Sequence, residues 1–158
     1  MAAGLGGKGN EGVAALVGRT GGAIGYVEYA YAKQNKMAYT QLTNKAGKAV
    51  EPSTESFQAA AANADWTHAE GYYLMLTDQD GAKSWPITGA SFILVYKEPS
   101  DAAAVGEALK FFAWAYKDGG AMAAELDYVP LPAPLIAQVK ATWTSSVSSG
   151  GHPIWSGK

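Results

Sequence analysis

The glycine punctuation at the front of the chain constrains its fold more than any other feature. Gly4-Leu-Gly-Gly-Lys-Gly-Asn-Glu-Gly-Val13 is followed, after one short apolar segment, by Gly22-Ala-Ile-Gly-Tyr-Val-Glu-Tyr-Ala-Tyr-Ala-Lys33. Glycine at this density interrupts long helices and opens turns that other residues strain to make. The order that fits is a glycine-rich turn, a short helix, a tight reversal, an apolar strand and a second helix. Asn10 is a suitable N-cap for a helix from about Glu11 to Val17, with Val13, Leu16 and Val17 facing inward. Gly21-Gly22 breaks it, residues 23–27 read as a buried strand, and residues 29–35 as helix or turn.

Farther along, residues 37–43 alternate well enough for a strand. The turn chemistry of Asn44-Lys-Ala-Gly-Lys48 joins it to a short partner around residues 49–51. Pro52-Ser53-Thr54 opens a helix through Ala62, capped by Ser53 or Thr54. Residues 63–83 lack a clear period. After Trp85-Pro-Ile-Thr-Gly89 comes Ala90-Ser-Phe-Ile-Leu-Val-Tyr96, apolar on both faces, as in a central strand covered by helices. The last third is helical. Val105, Leu109, Phe112 and Tyr116 recur at helical spacing from a start near Ser100 or Asp101. Gly119-Gly120 ends that helix, Met122 and Leu126 mark a short one, and Pro132 and Pro134 open a third. Ile136, Val139, Trp143 and Val147 form the apolar stripe of that third helix, and a polar tail from Ser148 onward is loose apart from Ile154 and Trp155. Strands alternating with helices make the expected class α/β, a layered sheet with flanking helices.

Composition narrows the function. Hydrophobic residues make up 48% and charged residues 16% of the 158 positions, a globular balance with enough chain for a proper core. A net charge of −2 gives no reason to expect nucleic acid or an anionic membrane as partner. Cysteine is absent, which removes disulfides, thiolate metal sites and a cysteine nucleophile. The N-terminus lacks the basic flank and apolar core of a signal peptide, so the chain as written is expected to stay in the cytoplasm. The five Trp, nine Tyr and four Phe are not interleaved with basic residues, which favours core filling over base stacking.

Four stretches, in order, resemble the periplasmic phosphate-binding proteins, the solute receptors of ABC-type phosphate importers. They are residues 4–33, Ala64-Asp-Trp66, Trp85-Pro-Ile-Thr-Gly-Ala-Ser-Phe-Ile-Leu-Val95, and Leu109-Lys-Phe-Phe-Ala-Trp-Ala-Tyr116 with Leu126-Asp-Tyr-Val-Pro-Leu-Pro132. The resemblance implies part of a two-lobed, type II-like periplasmic binding fold. Residues 1–84 would be the later part of the second lobe, and residues 85–158 the C-terminal segment returning to the first, with packing into one compact α/β unit as an option. It also implies inorganic phosphate as ligand, the importer's membrane subunits as partners, the periplasm as location, and neither cofactor nor catalysis.

In that family the opening run lies in mid-chain, and here it starts almost at Met1. The phosphate grip comes from earlier loops and from an Arg-x-Asp-Gly-Ser-Gly-Thr motif that this chain does not contain; Arg19-Thr20-Gly21-Gly22 falls at a plain turn. The chain therefore matches a C-terminal half, as a deliberately shortened chain, a broken gene or a naturally short relative would, and Met1-Ala2-Ala3 resembles an artificial or relocated start, which favours the first two. The expectation is phosphate binding that is weak or absent in the chain alone, and self-association into an oligomer through surfaces that missing segments would cover.

Candidate chemistry elsewhere is sparse. Gly7, Lys8, Gly9 and Asn10 before a helix could form a weak anion site, from free N–H groups and one cation. They do not match the nucleotide-binding Gly-x4-Gly-Lys-Ser/Thr loop. His68 and His152 lack ligand spacing. Asp78-Gln-Asp-Gly81 echoes a calcium loop without its ligand series. Glu28, beside the first strand, is the one carboxylate placed like a crevice residue. A small phosphoester-directed enzyme would need a nucleophile or metal constellation, and none is apparent.

Overall fold

The computed structural model describes residues 4–157; the expectation about Met1-Ala2-Ala3 lies outside them. The chain runs α1 (Gly9–Arg19), α2 (Tyr29–Gln34), β1 (Leu42–Thr43), β2 (Ala49–Val50), α3 (Thr54–Asn63), a single 3-10 turn at Glu70–Tyr72, α4 (Ala102–Asp118), α5 (Gly120–Glu125), α6 (Ala133–Ser146), β3 (Ser148–Ser149) and β4 (His152–Pro153). Helices flanking small sheets make it α/β. Both sheets are antiparallel hairpins: Leu42 pairs with Val50 and Thr43 with Ala49, then Ser148 with Pro153 and Ser149 with His152.

Helix starts follow local chemistry. Ser53 caps α3 by accepting the Ser56 N–H, and Ser56 Oγ accepts the Ser53 N–H at 2.9 Å, a reciprocal box made by two serines. Asp101 caps α4 by accepting the Ala104 N–H at 2.9 Å. Pro132 and Pro134 occupy the start of α6, where a missing N–H leaves no helical bond unmade.

Asn10 departs from its expected role. It lies inside α1, whose N-cap is Lys8, and α1 has no side-chain cap at all. The Asn10 carboxamide is used across space instead, as described below.

Two buried cores lie along α6. Ala61, Trp66, Leu76 and Leu135 form one, with Leu74, Ala90 and Leu131 packed against it. Leu109, Trp143, Val147 and Trp155 form the other, flanked by Val95, Val105, Phe112, Tyr116 and Ile154. Val139 touches both, so α6 is the element that joins them. Its side chains also make long-range bonds. Gln138 donates to the Trp66 carbonyl at 3.3 Å, and the Tyr72 and Thr142 hydroxyls meet at 2.7 Å.

The expected strands at residues 23–27 and 90–96 form no ladder among the described residues, and residues 37–43 contribute only Leu42–Thr43 to a hairpin. A strand is defined by its partners, and neither apolar segment meets one here. Ile24 is 96% exposed and Leu94 is 94% exposed, against the expectation of burial. Gly25 nonetheless lies close over α1: a Cβ there would come within 2.8 Å of Val17 Cγ2 and 3.0 Å of Val13 Cγ1. The tail also differs from expectation. Residues 148–153 form a hairpin tied to Lys97 by the Ser148 N–H at 2.8 Å, which seats Trp155 in the second core. Met122 and Leu126 mark α5 as expected, yet both are exposed.

Candidate functional site

The turn leading into α1 is the site that sequence chemistry singles out. Gly7 is pressed against the first turn of the helix: a Cβ there would lie 2.5 Å from the Val13 backbone nitrogen. Glycine is thus required by close packing, whatever else the turn does. Lys8 is the exposed N-cap residue, and Gly9 begins α1 with φ +67°. Asn10 points away from the helix end. Its Oδ1 accepts the backbone N–H of Glu28, the N-cap residue of α2, at 3.1 Å.

The carboxylate that occupies this helix end is the protein's own. Glu11 stands in the first turn of α1, where the unpaired N–H groups and the dipole favour negative charge. A Cβ on Gly9 would meet Glu11 Oε2 at 2.8 Å, so the carboxylate folds back over the turn. Glu11 Oε1 accepts the Tyr31 hydroxyl at 2.9 Å. A bond from its own backbone N–H, and secondly that from Tyr31, hold the Glu11 carboxyl below its ordinary range. The same contact pushes the Tyr31 phenol up, because ionising it would place two anions together. Gly7, Lys8, Gly9 and Asn10 therefore surround a helix end that already carries an anion.

A second polar cleft lies where α2, the start of α3 and the end of α5 meet. Its volume is about 290 Å³, and Tyr29, Lys33, Ser53, Thr54 and Asp127 are among its lining residues. Lys33 Nζ donates to Asp127 Oδ1 at 2.5 Å, and this bond, ahead of simple charge attraction, raises the Lys33 pKa. Tyr29 packs edge-on against Tyr39 and Phe57, with centroids 5.5 and 5.6 Å away. Burial, then Tyr39, pushes its phenol up. The lysine and aspartate neutralise each other, so the cleft presents a compensated pair to solvent. Sequence reasoning did not find this pair. Its members stand 94 residues apart, and no local period connects them.

The remaining candidates do not converge. His68 pairs with Asp65, Nδ1 to Oδ2 at 2.7 Å on an exposed surface, and that contact lowers the Asp65 pKa. Asp80 is bonded to Lys45 at 2.8 Å. Glu28 is exposed. His152 lies in β4. Among the described residues, no group of three or more His, Cys, Asp or Glu could hold a metal ion.

No family model matches the chain. Whole-sequence comparison does find relatives. The chain is 53% identical over 153 residues to the phosphate-binding protein PstS of Pasteurella multocida, an alignment covering 96% of this chain and 44% of that protein. It is 54% identical over 142 residues to a phosphate-binding protein PstS of Xylella fastidiosa, covering 90% of this chain and 39% of the relative. With that of Haemophilus influenzae the identity is 50% over 144 residues, covering 91% and 43%. The chain thus spans about two fifths of the length of the curated relatives it matches.

Proposed function

We propose that this chain, which belongs to the family of PstS phosphate-binding proteins, supplies one part of a receptor that captures inorganic phosphate for an ABC-type importer. The whole receptor would work in the periplasm and pass phosphate to the importer's membrane subunits. Capture would rest on hydrogen bonds and lobe closure, with no cofactor and no bond made or broken. The relatives' names describe binding proteins, which supports this reading over a phosphoester-directed enzyme. Residues 1–84 are assigned to the later part of one lobe and residues 85–158 to the segment returning to the other.

We further propose that the chain by itself holds phosphate weakly or not at all. The observation that carries this is the Glu11 carboxylate at the N-terminus of α1. A phosphate approaching Gly7, Lys8, Gly9 and Asn10 would meet a like charge already seated at that helix end. That leaves Lys8 as a solvated point charge and the turn as a weak anion contact. Titration calorimetry of the isolated chain with inorganic phosphate tests the reading. Little or no heat is expected, and saturable binding at micromolar phosphate would overturn it.

A second reading, self-association, is favoured by the exposed apolar side chains of Ile24, Tyr26, Leu94 and Tyr96. Light scattering across micromolar concentrations distinguishes it: a mass that rises with concentration supports oligomers, and a constant monomer mass excludes them.

A further inference from the structure

The Asp78-Gln-Asp-Gly81 run contains one of the chain's two Asp-Gly dipeptides; Asp118-Gly119 is the other. An aspartate followed by glycine is chemically labile. With no Cβ on the next residue, the following backbone nitrogen can approach the aspartate side-chain carboxyl carbon unhindered. Both aspartates are exposed, so solvent access does not distinguish the two sites. Their backbones do.

Gly119 stands at the junction of α4 and α5, and its N–H donates to the Ala115 carbonyl at 2.9 Å, closing the last turn of α4. A nitrogen held in a helical bond is not free to turn on the preceding side chain. Gly81 lies outside any helix or strand, at φ +106°. Among the described residues its N–H donates to no backbone carbonyl. The groups around that nitrogen are fixed instead. Ser84 Oγ donates to the Asp80 carbonyl at 2.6 Å, and the Gly81 carbonyl accepts the Ser84 N–H at 3.2 Å and Asn44 Nδ2 at 3.1 Å.

The Asp80 carbonyl and the Gly81 N–H belong to one peptide unit. A hydroxyl bonded to that carbonyl draws electron density from the unit and makes its N–H easier to deprotonate. Lys45 Nζ, 2.8 Å from Asp80 Oδ1, tethers the carboxylate beside the turn. The fold also requires glycine here, because a Cβ at position 81 would overlap the Asn63 carboxamide and the positive φ would strain any other residue.

We propose that Asp80 is a site of spontaneous isoaspartate formation in the folded protein, and that Asp118 is protected from it. The Gly81 nitrogen bonds to the Asp80 side-chain carboxyl carbon. The amide proton and the carboxyl hydroxyl leave as one water, closing a cyclic imide. Water then adds at the main-chain carbonyl carbon, the one whose oxygen faces Ser84 Oγ, and the bond from that carbon to the Gly81 nitrogen breaks. The nitrogen regains a proton, the main-chain carbonyl becomes a free carboxylate, and the chain continues through the side-chain carbon. Mass is unchanged, but the backbone is longer by one methylene. That displaces the Asp80 and Gly81 carbonyls from Ser84 and Asn44, loosening the tie between the first hairpin and residues 81–84. The new exposed carboxylate is the substrate class of carboxyl methyltransferases that recognise isoaspartate.

The test is ageing of the whole chain at neutral pH, below its unfolding transition. Fragmentation mass spectrometry then distinguishes aspartate from isoaspartate at each position, and an isoaspartate-specific methyltransferase with labelled S-adenosylmethionine measures the total. Isoaspartate at position 80 should exceed that at position 118 by roughly tenfold, an excess that disappears in urea, where both glycine nitrogens are free. Asp80→Glu keeps the charge but enlarges the ring that must close, and should remove most of the methyl-accepting signal. Equal isoaspartate at the two positions in the folded chain, none at position 80, or an undiminished signal in Asp80→Glu would each overturn the proposal.

Discussion

The side-chain oxygen of Asn10 accepts the backbone N–H of Glu28 at 3.1 Å, joining the first turn of α1 to the N-cap residue of α2 across 18 positions of sequence. One carboxamide thus supplies the Glu28 N–H with an acceptor and fixes how the two helices meet. The Tyr31 hydroxyl and the Glu11 carboxylate repeat the link one residue farther along α1 and three residues beyond Glu28 on α2.

Asn10→Ala should destabilise the chain by about 1 kcal/mol, the usual net value of one such bond. Asn10→Asp keeps an acceptor and should recover most of the loss. Urea unfolding midpoints of the three proteins check this, and a wild-type midpoint for Asn10→Ala would show that the link contributes nothing.

Glu11 makes stability depend on acid pH. Its folded pKa lies below its unfolded value, so its contribution is complete above the ordinary carboxylate range. That contribution is lost as pH falls through the depressed folded value. Tyr31→Phe removes the second of the two causes, so the Glu11 carboxyl should titrate closer to its ordinary value while remaining below it. NMR titration of the Glu11 side-chain carbonyl in both proteins measures the difference.

Asn44 is the buried hub of the first hairpin. Its Nδ2 donates to the Gly81 and Ser84 carbonyls at 3.1 and 3.2 Å, and its Oδ1 accepts the Lys48 N–H at 3.0 Å. Asn44→Ala strands these groups and should cost about 1–3 kcal/mol. Asn44→Asp should not rescue it, because a carboxylate oxygen would then face two carbonyl oxygens. Thermal unfolding of the pair tests both statements.

Leu109 and Met122 look alike as apolar positions on neighbouring helices, but Leu109 is 0% exposed and Met122 is 54% exposed. Leu109→Ala should lose about 2–5 kcal/mol through the cavity left among Trp143, Val147 and Trp155. Met122→Ala should stay within about 0.5 kcal/mol of the parent. Equal losses in denaturant unfolding would show that α5 is buried in solution.

The candidate site was legible only in part. Gly7, Lys8, Gly9 and Asn10 do precede and begin a helix, because glycine turns and helix starts are written in adjacent residues. The tenant of that helix end, Glu11, was not legible as such: its second bond comes from Tyr31, delivered by the reversal at Gly21-Gly22. Asn10 illustrates the same limit. A cap residue is chosen locally only when nothing across space competes for its oxygen, and here the Glu28 N–H takes it.

The starts of α3, α4 and α6, the apolar stripe of α4, the Asn44–Lys48 turn and the resemblance to phosphate-binding proteins were all determined by the sequence itself. Each rests on residues within a few positions of one another, where capping, proline geometry and helical period act directly. Tertiary structure alone decided that residues 23–27 and 92–96 expose apolar side chains without ladder partners among the described residues. It alone brought Lys33 to Asp127, and it alone turned Val139 into the joint between two cores. The physical reason is common to all three. Periodicity states that a face is apolar and a backbone group must be paired, but burial and pairing are completed by elements distant in the chain, and only the fold says which of them arrive.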